Sequence, residues 1–170
     1  MVKYLPNILS LFRIVDLVIV VIFMEYNLNI YALIFFLLGI LSDILDGEIA
    51  RRNNVVTNIG KLLDPLTDKI FVIGILVAMI HTIHIPYWIV IVIIARECAV
   101  TGLRGVAAIE NIAIPANKTG KLKTTSQFLA IGILMLNLYQ LGIIILVIAM
   151  IFTIISGSIY FLEYYKVVGK

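Results

Sequence analysis

Residues 124–162 read TTSQFLAIGILMLNLYQLGIIILVIAMIFTIISGSIYFL and contain no charged side chain. A transmembrane helix needs about 20 consecutive apolar residues, so this stretch is too long for a single span. Its middle, residues 137–142, is a polar break that predicts two helices joined by a short turn. The stretch therefore indicates a helical hairpin in apolar surroundings.

The composition of the whole chain points the same way. Of its 170 residues, 62% are hydrophobic and 14% are charged, whereas soluble domains have about 45–50% apolar and about 25% charged residues. Such a chain lacks the polar surface that would cover a core in water. Soluble, fibrous and disordered classes are excluded, no nucleic-acid partner is expected, and an integral membrane protein remains.

Elsewhere, uncharged runs and the interruptions between them predict four further spans, at about residues 11–24, 30–42, 64–80 and 86–108. A short juxtamembrane segment, residues 6–10, precedes the first span, and the second continues as helix through residues 43–52. We therefore expect an all-α integral membrane protein with six transmembrane helices, forming one domain over residues 1–170.

The basic residues orient these spans. All 13 lysines and arginines fall at one end of the predicted helices, and the connections at the other end, near residues 25–29, 81–86 and 137–141, contain none. By the positive-inside rule, the basic end is cytoplasmic. We expect a multi-pass protein of the cell membrane, with both termini and the chemistry on the cytoplasmic side, where most acidic residues also lie.

Four aspartates concentrate at this basic end. Asp43 and Asp46 are three residues apart and Asp64 and Asp68 are four apart, so each pair shares one face of a helix. An ionised acid at the centre of a bilayer costs ~2.5–3.5 kcal/mol, and four acids together also repel one another. Divalent cations relieve both problems, and a set of carboxylate oxygens suits Mg²⁺ or Mn²⁺.

A simpler interpretation of the same aspartates is that they are solvated charges at the membrane edge. Arg51, Lys61 and Lys69 lie close to them in the sequence and would serve as their partners. The two in-phase pairs on consecutive helices favour the metal site over this alternative.

The spacing across both stretches follows the pattern Asp43-x2-Asp46-Gly47-x2-Ala50-Arg51-x8-Gly60-x3-Asp64-x3-Asp68. This pattern resembles the signature of the CDP-alcohol phosphotransferase family at every fixed position. Three further segments resemble the branch of the family that uses glycerol 3-phosphate: PNILSLFR at residues 6–13, Arg96-Glu97-x3-Thr101-Gly102-Leu103-Arg104, and Gly120-Lys121-x-Lys123-Thr124-x2-Gln127.

The resemblance implies a fold, two metal ions and a set of roles. It implies a six-helix homodimer with a polar cavity open to the cytoplasm, and two Mg²⁺ or Mn²⁺ ions per active site. Asp68 would be both a metal ligand and the general base. The metal ligands would be Asp43, Asp46, Asp64 and Asp68, and the residues binding CDP-diacylglycerol would be Gly47, Ala50, Arg51 and Gly60.

The implied reaction transfers a phosphatidyl group from CDP-diacylglycerol to sn-glycerol 3-phosphate and releases CMP. Arg96 and Arg104 are eight residues apart, about 80° around a helix, so both can border one cavity. Lys121 opens the next helix. We expect these three to bind the phosphate of the acceptor, with Thr101 and Lys118 beside them. Alternatively, the three basic residues anchor the chain to anionic lipid headgroups.

Other functions remain open at this point. Within the family, the acceptor could instead be serine, inositol phosphate or phosphatidylglycerol. A divalent-cation or proton-coupled transporter also carries intramembrane carboxylates, but it should have polar groups through to the far side, and the outer halves of these spans are almost wholly apolar. Because no Ser, Cys or His stands beside the carboxylates as a nucleophile, direct displacement is preferred to double displacement.

Overall fold

A computed structural model describes the backbone of residues 5–53, 58–110 and 118–168 and the side chains of residues 12–42, 66–110 and 119–168. Over these ranges the chain forms six α-helices and no strand. The helices are α1 (Leu5–Glu25), α2 (Asn29–Asn53), α3 (Asn58–Thr82), α4 (Tyr87–Ile109), α5 (Lys118–Met135) and α6 (Tyr139–Val168). The prediction of an all-helical fold is confirmed for these residues.

The helix boundaries differ from the predicted ones mainly at two N-terminal ends. The segment predicted at residues 6–10 is continuous with α1, because Pro6 stands in the first turn, where its missing N–H has no helical partner to lose. Helix α3 begins at Asn58, ahead of the predicted start near residue 64. The predicted continuation of the second helix through residues 43–52 is confirmed by α2.

The polar break predicted at residues 137–142 is a tight turn. Asn137 adopts a φ of 61°, and the N–H of Leu138 donates to the Ile133 carbonyl at 3.3 Å. Asn27 follows α1 in the same left-handed conformation, with a φ of 58°. Asparagine tolerates this conformation better than most residues, and the backbone bond satisfies a carbonyl at the helix end. The break is shorter than predicted because α6 already begins at Tyr139.

Helices α1, α2 and α3 belong to the first of two compact units. Helix α1 packs against both α2 and α3. The rings of Phe36 and Phe71 stack with their centroids 6.0 Å apart, and a Cβ at Gly39 would lie 2.8 Å from the Phe71 ring. The glycine therefore permits this close approach of α2 to α3. The buried apolar residues of the unit include Val20, Met24, Ala32, Ile75, Leu76 and Met79.

Helices α4, α5 and α6 belong to the second unit, in which α4 packs against α6. Its apolar core includes Ile89, Ile93, Ile131, Leu134 and Leu146. Toward one end of the helices, polar and charged side chains are buried as well: Glu97, Lys123, Gln127, Thr153 and Ser156. This internal polar region contains Glu97, Lys123 and Gln127, which belong to the segments that resemble the family.

Many large apolar side chains are exposed along the described parts of the helices. Helix α1 exposes Phe12, Val15, Val18 and Ile22, and α6 exposes Ile144, Ile148, Ile151 and Ile155. Within the described ranges, α6 alone is both long enough and apolar enough to meet the usual criteria for a membrane span, and Asn29–Ser42 is a shorter apolar stretch. The remaining predicted spans, and the orientation of the termini, stay predictions.

Candidate active site

The signature residues lie on two consecutive helices. Asp43, Asp46, Gly47, Ala50 and Arg51 belong to α2, and Gly60, Asp64 and Asp68 belong to α3. Uninterrupted helix through both stretches preserves the three- and four-residue spacings on which the predicted carboxylate pairs depend. Of these eight residues, Asp68 alone lies in the ranges whose side chains are described, and the other seven fall outside those ranges.

The Asp68 carboxylate is paired with a buried arginine from α1. Nη1 of Arg13 donates a hydrogen bond to Oδ1 of Asp68, and the same nitrogen lies 3.5 Å from Oγ1 of Thr67. The Arg13 side chain is 6% exposed, whereas that of Asp68 is 45% exposed. The carboxylate therefore keeps an open side for a ligand while one oxygen is held by a fixed cation.

In the second unit, one carboxylate joins two cations. Oε1 of Glu97 accepts a hydrogen bond from Nη1 of Arg96 at 2.9 Å and another from Nζ of Lys123. All three side chains are about nine-tenths buried. Among the side chains that the structure describes here, two positive charges share one negative charge, which gives these three residues a net positive charge in largely buried surroundings. Such a cluster favours an anionic ligand.

Arg96 and Arg104 also meet a common aromatic residue of α6. Nη2 of Arg104 donates to the hydroxyl of Tyr160 at 3.3 Å, and the guanidinium carbon lies 4.9 Å from the ring centroid. The guanidinium carbon of Arg96 lies 5.9 Å from the same centroid. Both guanidinium groups therefore lie near Tyr160, and the cavity that the two arginines were expected to border stays a prediction.

Thr101, Lys121 and Lys118 are the remaining residues that were predicted to bind the acceptor. Thr101 is exposed, and its hydroxyl donates to the Glu97 carbonyl of its own helix at 2.6 Å. Lys121 is exposed near the beginning of α5, and Lys118 begins that helix with a side chain outside the described residues. Lys123, two residues further on, is the α5 lysine that pairs with Glu97.

The contribution of α6 to this region was not predicted from the sequence. Ser156, Gly157 and Tyr160 lie three, four and seven residues after Thr153, which are helical spacings, and all four residues are buried. Small and polar residues recurring on one face of an apolar helix indicate a buried polar contact. That signal was present in the sequence, but nothing in it identified Arg96 and Arg104 as the partners.

The donor set of the signature fits a divalent cation. Four aspartates on α2 and α3 supply only oxygen atoms, the ligands that Mg²⁺ and Mn²⁺ prefer. The half-exposed Asp68 carboxylate has coordination capacity beyond its bond to Arg13. Among residues 12–42, 66–110 and 119–168, no group of three potential metal-ligating side chains occurs, and three of the four aspartates lie outside these ranges.

Comparison with known proteins gives these residues their context. Residues 3–155 match the family model described as CDP-alcohol phosphatidyltransferase. The chain belongs to this family. Its members are membrane-embedded enzymes of phospholipid synthesis and generally use divalent metal ions. The match includes α2 and α3 of the first unit, α4 and α5 of the second, and the part of α6 that contains Thr153.

Curated relatives cover most of the chain. A Bacillus subtilis protein named CDP-diacylglycerol–glycerol-3-phosphate 3-phosphatidyltransferase is 43% identical, over 75% of this chain and 70% of the relative. A Rickettsia typhi protein of the same name is 34% identical over 94% of this chain and 96% of its own length. A Mycobacterium tuberculosis protein named probable phosphatidylglycerophosphate synthase is 31% identical, covering 92% of this chain and 79% of the relative.

Proposed function

We propose that this protein transfers the phosphatidyl group of CDP-diacylglycerol to sn-glycerol 3-phosphate, giving phosphatidylglycerophosphate and CMP. The observation that carries the proposal is the complete family signature on α2 and α3. In addition, relatives that are named for this activity align with this chain over most of their length. It is an enzyme of phospholipid synthesis that depends on CDP-diacylglycerol.

The reaction is a direct displacement at phosphorus. The free primary hydroxyl oxygen of the acceptor forms a bond to the phosphorus that carries diacylglycerol, and the bond from that phosphorus to the bridging oxygen breaks, so CMP leaves with that oxygen. Asp68 accepts the hydroxyl proton as general base, and Arg13 holds its carboxylate in place. Gly47, Ala50, Arg51 and Gly60 bind CDP-diacylglycerol, the first three of them near its cytidine.

Asp43, Asp46, Asp64 and Asp68 would hold two Mg²⁺ or Mn²⁺ ions. Bound there, such ions neutralise the pyrophosphate and polarise the phosphorus under attack.

The charge of the second unit supports an anionic acceptor. Arg96, Arg104 and Lys123 bring three positive charges to one region, in which Glu97 pairs with Arg96 and Lys123 and Tyr160 contacts Arg104. Serine carries no net charge and would gain little from this excess, whereas a phosphate group matches an arginine pair in charge and geometry. Lys121, Thr101 and Lys118 complete the proposed phosphate site from the start of α5 and the middle of α4.

The proposed setting is a membrane crossed by all six helices, with both termini and the active site on the cytoplasmic side of the cell membrane. Apolar residues exposed along α1, α2 and α6, together with charged residues buried inside the second unit, support this setting, because the reverse arrangement is usual in water. The single-domain organisation and the homodimer remain part of this proposal.

The deciding experiment is an assay of the purified protein with CDP-diacylglycerol and a panel of acceptors. Glycerol 3-phosphate, inositol phosphate, serine and phosphatidylglycerol are each tested with and without EDTA, and CMP release is measured. Of the four acceptors, we expect only glycerol 3-phosphate to cause CMP release. EDTA should abolish this release, and adding Mg²⁺ or Mn²⁺ should restore it. Turnover of another acceptor would reject the assignment, and CMP release unaffected by EDTA would reject the metal site.

A further inference from the structure

Helix α6 carries a buried polar face within an otherwise apolar helix. Thr153 and Ser156 are 0% exposed, Gly157 is buried and Tyr160 is 6% exposed. Burying polar groups is unfavourable unless they are hydrogen-bonded. This face must therefore have polar partners, and two of them are Arg96 and Arg104 of α4.

Ser156 and Gly157 fit closely around Arg96. Oγ of Ser156 accepts a hydrogen bond from Nη2 of Arg96 at 2.6 Å and lies 3.3 Å from the Thr153 carbonyl, to which it donates. A Cβ added to Gly157 would lie 3.0 Å from Cγ and 3.2 Å from Nε of Arg96. The glycine therefore leaves the space through which the arginine passes.

Tyr160 engages the second arginine through both its ring and its hydroxyl. Arg104 is exposed, whereas Tyr160 is buried, so the packed ring limits the orientations of the guanidinium and not the reverse. The π face of the ring attracts cations, which offsets part of the repulsion between two guanidinium groups brought to one place. Glu97 balances only Arg96 and Lys123.

We propose that Tyr160 is a positioning residue of α6, which holds the guanidinium groups of Arg96 and Arg104 in the arrangement that receives the acceptor's phosphate, with Ser156 and Gly157 supporting Arg96. This inference rests on the proposed function. It assigns a role in acceptor selection to the C-terminal helix, for which the sequence indicated only membrane packing.

The test compares two substitutions at Tyr160. Tyr160→Leu removes the ring and the hydroxyl, and we expect it to raise the KM for glycerol 3-phosphate about ten-fold. Tyr160→Phe keeps the ring over Arg104, and we expect partial rescue, with a rise of about three-fold. The KM for CDP-diacylglycerol should stay within about two-fold of the wild-type value in both variants. Tyr165→Leu, at an exposed tyrosine of the same helix, is the control and should leave both KM values unchanged.

A second comparison tests the support of Arg96 with two glycines. Gly157→Ala places a methyl group against Arg96, whereas Gly105→Ala faces open space with nothing within 4 Å. Both changes have the same intrinsic effect on helix propensity. We expect the acceptor KM to rise about five-fold or more for Gly157→Ala and to stay constant for Gly105→Ala.

These outcomes separate the inference from the proposed function. Wild-type protein that fails to use glycerol 3-phosphate rejects the proposed function. Wild-type activity with an unchanged acceptor KM in folded Tyr160→Leu and Gly157→Ala rejects the positioning role alone. Equal rises in the KM of both substrates also reject it, because they would mean a structural role. If Tyr160→Leu does not fold, Tyr160→Phe and Gly157→Ala decide the question by the same criterion.

Discussion

Arg13 of α1 donates a hydrogen bond from its buried guanidinium to the half-exposed carboxylate of Asp68 on α3. The two residues are 55 positions apart in the chain, and each belongs to a segment that resembles the family on its own. Their contact links the N-terminal segment to the last aspartate of the signature. It suggests that Arg13 serves the reaction by fixing one oxygen of the proposed base.

Arg13 and Asp68 should be coupled in catalysis. Arg13→Gln frees the carboxylate, and we expect kcat to fall about ten- to a hundred-fold, as for other residues that orient a ligand or base. If Arg13 acts through Asp68, the double variant with Asp68→Asn should be no slower than Asp68→Asn alone. Kinetics of the two single variants and the double variant measure this. Losses that multiply would show independent roles.

Asp68 should contribute more to the chemical step than to donor binding. Asp68→Asn removes the proton acceptor but keeps the size of the side chain, and we expect kcat to fall about a hundred-fold or more. The affinity for CDP-diacylglycerol should change far less, which an equilibrium binding assay can measure. A variant that loses only donor affinity would contradict the assignment of Asp68 as base.

Asp64 should be needed for metal binding. Asp64→Asn removes a ligand charge, and we expect activity to fall more than about a hundred-fold while the protein remains folded and inserted. Size-exclusion chromatography in detergent checks the fold, and the dependence of the residual rate on Mg²⁺ concentration checks the cause. Near-normal turnover at wild-type metal concentrations would refute the two-metal proposal.

Glu97 should stabilise the second unit by balancing two buried cations. Glu97→Gln removes the negative charge that pairs with Arg96 and Lys123, and we expect the free energy of unfolding to fall by about 3–5 kcal/mol. Adding Lys123→Met removes one of those cations and should restore part of the loss. Denaturation of the detergent-solubilised variants provides the measurement.

A matched control for Glu97 is the exposed Glu110, which accepts a hydrogen bond from Tyr164. Glu110→Gln should change the stability by less than about 0.5 kcal/mol, as expected for a surface substitution. Equal effects at Glu97 and Glu110 would mean that the buried triad contributes nothing specific.

Arg104 offers the clearest test of acceptor binding. Because Arg104 is exposed and Arg96 belongs to the buried triad, Arg104→Ala should alter stability little. We expect it to raise the KM for glycerol 3-phosphate about ten-fold, the loss of one charged hydrogen bond of ~1.5 kcal/mol. A role in anchoring to lipid headgroups predicts an unchanged KM and weaker membrane insertion, which sedimentation with anionic vesicles would detect.

The sequence by itself determined the features that depend on near neighbours in the chain. Apolar runs and the break near Asn137 predicted the hairpin of α5 and α6. The predicted helix ranges placed the four aspartates on two consecutive helices, which the backbone of α2 and α3 confirms. Helical periodicity and turn preferences act over a few residues, so they can be read directly from the order of the amino acids.

Only the tertiary structure decided which distant side chains meet. Arg104 and Tyr160 are 56 residues apart, and Lys123 and Glu97 are 26 apart. Periodicity shows that Tyr160 shares a face with Ser156, but the partner of that face depends on how α4 and α6 pack. Packing is set by the fit of many side chains at once, and no local pattern encodes that fit.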